Sequence, residues 1–428
     1  MDGPSDTVAS DVRGRHDVAA DGRPAIDRRP DRAIAVGGIV AAGALLAAGA
    51  LASLLPPDLR RGIWLPLHLG VAGASSVAIA AMLPFFTATL AVAGPVRPWI
   101  RTVGVTLPLV GILAVAVGVA WGPLALAAAG GVTYLAGIGV VAFAALAPLT
   151  RSTAPRRVAL GLAAAAALAD VACGALLGTL YAAGEPWVLA HWALLRPAHA
   201  WLNVLGFVGL TVTTTIVHLW PTVLGARIDP GRTGLAAGAG WAVGPPLVAA
   251  GFVAGSEPVA RLGAAVTLVG AGSLVAFAGS RWRARGRWTI DLAWHRAATG
   301  HLGAGIAWGA GGAVAAAALV LARGASAGAW SWAVLVAIGV GWIAQTLVGA
   351  WTHLVPTIGP GGPVVHAAQR RILARGSLAR LVLWQVGTAS LAFGVVADAA
   401  VSAVAGGVIV GGVIVASVAL LAVATRMR

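Results

Sequence analysis

From Arg32 to the C-terminus the chain is a succession of long apolar runs, broken at short intervals by proline, glycine and arginine. A helix needs about 20 apolar residues to cross roughly 30 Å of hydrocarbon, and each run supplies them. The breaks predict about twelve transmembrane helices, near 33–55, 63–90, 99–121, 124–148, 157–182, 196–224, 233–254, 259–280, 296–322, 329–356, 378–400 and 402–425. The expected fold class is therefore all-α, a polytopic integral membrane protein with residues 32–428 as its transmembrane domain. Residues 1–31 read differently. They hold seven of the fourteen acidic residues, several arginines and few large apolar side chains. Such a stretch cannot bury enough surface to order itself, which predicts a disordered cytoplasmic tail. It is too long and too acidic for a secretory signal.

Composition agrees. Hydrophobic residues make up 59% of the 428 and charged residues only 10%, with a mean hydropathy of +0.89. A soluble domain carries roughly 25% charged residues, so this chain cannot cover a surface in water. The single cysteine, Cys173, excludes an intramolecular disulfide and a cysteine-only metal cage. The net charge of +15 would suit a nucleic-acid binder, but the arginines punctuate apolar runs instead of lining one face. Orientation in the bilayer explains them, and no nucleic acid is expected as a partner. With alternating spans and a cytoplasmic tail, 24 of the 29 basic residues fall on the inner side and five on the outer. That bias predicts an even number of spans in the cell membrane with both termini cytoplasmic. Trp64, Trp99, Trp121, Trp187, Trp282, Trp330 and Trp351 fall near span ends, as an aromatic belt requires.

An internal repeat is superimposed on the spans. His218-Leu-Trp-Pro221-Thr matches His353-Leu-Val-Pro356-Thr four spans later, and Ala81-Met-Leu-Pro84 keeps the proline four spans earlier. Three units of four helices would produce that spacing. Proline frees a carbonyl one turn back and bends a helix where a neighbour compensates.

Candidate chemistry rests on histidine, which is scarce inside membranes. His199 and His218 stand 19 residues apart on one span. At 1.5 Å per residue they lie roughly 28 Å apart, near opposite faces. His68 and His199, with His191 in the preceding loop, belong to an outer layer. His218, His353, His295 and His301 belong to an inner one, with His218, His353 and His301 as a possible second site. Neutral imidazoles from two helices can clamp a haem iron, and three can hold copper. Helix-to-helix hydrogen bonding and a proton or solute path are the competing readings of the outer pair, and helix-end capping is that of His218 and His353. Asp170 is the one acidic residue deep in a span, and Asn203 lies one turn beyond His199. Together they mark a possible proton or polar path. No nucleophile–base–acid set, paired carboxylates or phosphate-cradling loop is present.

The run Pro197-Ala-His199-Ala-Trp-Leu-Asn203-Val-Leu-Gly206-Phe-Val-Gly209 resembles the histidine-bearing helix of the catalytic subunit of haem–copper oxidases and of NnrS-like haem- and copper-containing proteins. Leu65-Pro-Leu-His68-Leu-Gly70 is similar to their second-helix histidine. About twelve spans in three sets of four also fit that group. The resemblance implies haem or copper at His68 and His199, with a role in electron transfer, NO or oxygen handling, or metal homeostasis. A copper oxidase or nitrite reductase is the implied redox partner. It also marks a departure: residues 233–254 hold no histidine, and His353 stands alone near the inner face. The full binuclear centre of those enzymes is therefore not expected. A transporter or channel built on Asp170, and a non-catalytic assembly subunit, remain the alternatives.

Overall fold

The computed structural model describes residues 27–324 and 332–427, so the expected tail lies, up to residue 26, outside the described residues. Among the described residues every regular element is helical. Twelve helices among these residues are long and apolar enough to cross a membrane. In chain order they are span 1 (Arg29–Ala52), span 2 (Trp64–Leu90), span 3 (Pro98–Ala120), span 4 (Leu124–Thr150), span 5 (Arg157–Ala182) and span 6 (Trp192–Leu224). Then come span 7 (Gly231–Val253), span 8 (Glu257–Arg283), span 9 (Leu292–Arg323), span 10 (Trp332–Ile358), span 11 (Ser377–Val396) and span 12 (Ala400–Thr425). The expected all-α polytopic architecture holds, with ends displaced by a few residues. The tail boundary moves: Asp31 is in the first turn of span 1, buried, and part of the bundle.

Spans 2, 6 and 10 bury the largest shares of their apolar stretches, 72%, 61% and 67%. They form the centre, and the other nine surround them. Spans 3 and 4, 7 and 8, and 11 and 12 pair as tight hairpins; span 4 then packs on 5, span 8 on 9, and span 12 returns to span 1. The ring closes as three units of four.

Glycine sets the hairpins. Gly111, Gly118, Ala127 and Gly130 recur at the same spacing as Gly244, Gly251, Ala260 and Gly263, and again as Gly387, Gly394, Ala403 and Gly406. A Cβ on Gly111 would come 2.6 Å from Tyr134 N, one on Gly244 2.7 Å from Thr267 N, and one on Gly387 2.9 Å from Val410 N. Backbones in contact at these points gain dispersion that lipid tails cannot replace.

Each central span carries a π-helical segment: Leu67–Gly73, Trp201–Gly209 and Ala337–Ala344. Pro84, Pro221 and Pro356 follow them. A proline releases the carbonyl four residues earlier. Trp294 Nε1 donates to the one released by Pro356, Thr352 O, at 2.6 Å. Near Pro84, Arg101 donates to Ala80 O at 3.4 Å and Ala81 O at 2.6 Å, while its Nε donates to Asp31 Oδ1 at 2.6 Å. Both partners of this ion pair are buried.

Replacing Gly244 by Val forces overpacking against span 8 and is expected to cost about 1–3 kcal/mol. Gly272→Val is the control: a Cβ there meets nothing within 4 Å, so stability should stay within about 0.5 kcal/mol. Melting temperature in one detergent decides; equal losses in both variants would refute the hairpin role. Arg101→Leu strands the Asp31 carboxylate and should cost about 3–5 kcal/mol, with Asp31→Asn in the same chain restoring part of it. A double variant no more stable than Arg101→Leu would refute the pairing.

Candidate functional site

His68 lies in the π-helical segment of span 2, and His199 stands two residues before that of span 6. Both are near the face opposite the arginine-rich one. Single π turns shift helical register and often occur at functional sites. Here they follow or carry the two histidines.

His68 Nδ1 donates to Trp64 O at 2.8 Å, and its ring stacks on Trp64 with centroids 4.0 Å apart. His199 Nδ1 donates across the helix interface to Gly174 O at 2.7 Å. A ring nitrogen facing a carbonyl carries the proton, which leaves Nε2 as the lone-pair atom. The two imidazoles are within electrostatic reach of one another. Both rings are thus held in the same tautomer, at the same end of spans 2 and 6.

Small residues on span 5 make this possible. A Cβ on Gly178 would lie 3.1 Å from His199 Cε1, and one on Gly174 would lie 2.8 Å from Asn203 Cγ. Asn203 Nδ2 donates to His199 O at 2.7 Å. Further in, Asp170 faces Gly206, where an added Cβ would lie 2.8 Å from its Cγ. Asp170 is buried and its Oδ2 has no partner. His199, Asn203 and Asp170 therefore form a polar column along the interface of spans 5 and 6. Trp192 closes the outer end, tilted against His199 with centroids 6.1 Å apart and stacked on Tyr181 at 4.2 Å.

His191 does not join. It is exposed, stacked on Trp187, and its Nδ1 donates to Trp187 O at 2.8 Å. Among the described residues no group of three His, Cys, Asp or Glu side chains is arranged to hold a metal ion. The outer set is a pair of ligand candidates, not a triad.

The inner histidines are not brought together as the sequence reading expected. His218 Nδ1 donates to Thr214 O at 3.0 Å, and Arg156 is its charged neighbour. His301 lies deeper, edge-on to Trp384 with centroids 5.5 Å apart and with Gln345 Nε2 3.5 Å from its Nδ1. His353 stacks on Trp294 at 5.3 Å, and its histidine neighbour is His295, itself stacked on Trp288 at 5.0 Å. The reason is positional: His218 belongs to the second unit, and within the third unit His301 sits about two turns further into the membrane than His295. Sequence reasoning missed the His295–His353 association, although the adjacent Trp294 and His295 were visible. It also missed the Arg101–Asp31 pair, because Asp31 was assigned to the tail.

No family model matches this chain, and no curated protein matches it.

Proposed function

We propose that this twelve-span membrane protein holds a metal centre on His68 and His199, either a haem iron or copper. The observation that supports it is the shared tautomer: both Nδ1 protons are committed to backbone carbonyls, leaving two Nε2 lone pairs at the same end of spans 2 and 6. That is how metal-ligating histidines are usually oriented. Two ligands suit a haem iron, whose porphyrin supplies four more, better than a copper ion that needs a third. The resemblance of the two histidine segments to haem–copper oxidase and NnrS-like proteins points the same way.

Span 7 contains no histidine and His353 lies on the other face, so the reading stops short of oxygen or NO reduction at a binuclear centre. The role is electron transfer, NO or oxygen handling, or metal homeostasis on the outer side of the cell membrane. A copper oxidase or nitrite reductase is the proposed redox partner, and the arginine bias supports cytoplasmic termini.

Protein purified gently from its own host should show a haem absorption band or stoichiometric copper. His68→Ala and His199→Ala should each abolish that signal while the protein still melts cooperatively. Folded, colourless, metal-free protein would refute the proposal.

The unpartnered buried Asp170 Oδ2 favours a second reading, a proton or small-solute path along the column. It predicts flux in proteoliposomes that Asp170→Asn removes; flux indifferent to that change would count against it. Neither metal nor flux would leave a non-catalytic assembly subunit.

A further inference from the structure

Span 8 ends at Arg283 and span 9 begins at Leu292, so the connection between them stands at the level of the lipid headgroups. It is entered through Arg281-Trp-Arg283-Ala-Arg285-Gly-Arg287-Trp288, an alternation of arginines with small or aromatic residues. The segment is fixed against span 6. Gly286 N donates to Leu224 O at 2.9 Å, and a Cβ on Gly286 would lie 3.1 Å from Gly225 O. Trp282 stacks on Trp220 with centroids 6.1 Å apart. Arg285 in turn lies over Trp282, its guanidinium carbon 4.5 Å from the ring centroid, and Nη1 donates to Trp282 O at 3.0 Å.

None of these cations is neutralised within the described residues. The ion pairs there are Arg101 with Asp31, Arg261 with Glu257 and Arg370 with Asp291. Asp291, the carboxylate next along the chain, is therefore taken by Arg370 from beyond span 10. The side chains of Arg283 and Arg287 are exposed and have no hydrogen-bond or ion-pair partner among the described residues. By contrast Arg157 and Arg380, on the same face, spend their guanidinium groups on Ser152 O and Leu373 O.

Charge alone would suit any anion. Apolar exposure beside the charge narrows the choice: Ile290 is 72% exposed, and Trp282 and Leu292 are exposed as well. A free phosphate would leave those side chains uncovered. An anionic lipid satisfies both halves, since its phosphate accepts paired hydrogen bonds from guanidinium and its acyl chains cover the apolar side chains.

We infer that this loop is a docking surface for an anionic phospholipid, its phosphate on Arg283, Arg285 and Arg287 and its acyl chains against Trp282, Ile290 and Leu292. The surface lies on the face opposite His68 and His199 and is independent of any metal there.

Native mass spectrometry of the full-length protein, released from micelles holding equal amounts of phosphatidylglycerol and phosphatidylcholine, tests this. Retained phosphatidylglycerol is expected in excess. Arg283→Gln, Arg285→Gln and Arg287→Gln should each lower that preference about fivefold. Arg371→Gln with Arg375→Gln removes two charges from the same face and should lower it less per charge. Cooperative melting identifies folded variants; should the triple variant not fold, the single ones decide. Equal losses per charge in the two sets would reduce the effect to diffuse surface charge and overturn the proposal. So would equal retention of the two lipids, or inorganic phosphate or polyglutamate held more tightly than phosphatidylglycerol, which would assign the surface to a free anion or an acidic protein.

Discussion

Hydrocarbon offers no hydrogen bonds, so backbone polar atoms at depth must be satisfied within the chain. That single constraint organises this protein. Twelve helices satisfy their own backbones, and the exceptions are local: the π-helical segments and prolines of the three central spans, where carbonyl partners change. Trp294 answers the carbonyl released by Pro356, and Arg101 reaches the carbonyls beside Pro84. Two of the histidines obey the same rule. His68 and His199 surrender one nitrogen each to a carbonyl, and that surrender fixes which nitrogen is left for chemistry.

Satisfying polar atoms internally requires close approach, and glycine supplies it. The hairpins of the outer ring are built on a repeated glycine and alanine spacing that lets backbones touch. The same device also makes room for polar side chains between spans 5 and 6. Gly174 and Gly178 on span 5 leave room for Asn203 and His199, and Gly206 on span 6 leaves room for Asp170. A polar column can run along this interface because small residues oppose it at each level.

Most of the fold was legible in the sequence because hydrophobic length is a one-dimensional signal. Span number, span order and the four-helix unit all followed from apolar runs, arginine breaks and the His-Leu-x-Pro repeat. The glycine spacing was equally visible, but small residues are so frequent here that no single pair stood out. Only its threefold recurrence, Gly111–Gly130, Gly244–Gly263 and Gly387–Gly406, gives it meaning. The site was legible in part. Depth along a helix placed His68 and His199 at one level. It could not say which neighbours their rings would meet, because that depends on helix rotation. His218, His301 and His353 show the cost: similar depth was read as proximity, and packing put them in separate surroundings. Asp31 was misread for another reason, since its partner Arg101 is 70 residues away and no local pattern connects them.

The repeat also separates histidines that hold the frame from histidines that break it. The shift of 133 residues that carries Ala78 to Thr211, and of 135 that carries Thr211 to Thr346, superposes the three central spans. Under it His218 maps onto His353, and the first unit has Phe85 at that position. A side chain retained at equivalent places in two units, once as an aromatic in the third, behaves as part of the packing. His68 maps instead onto Trp201 and Val336, and His199 onto Pro66 and Val334. Neither outer histidine has a counterpart, so the frame does not require them. Each nevertheless donates a hydrogen bond that fixes its tautomer, and His199 donates to a carbonyl of a neighbouring span. Groups that the scaffold does not need, yet that are held in one orientation, are where chemistry is to be sought in a fold made of three copies of one unit.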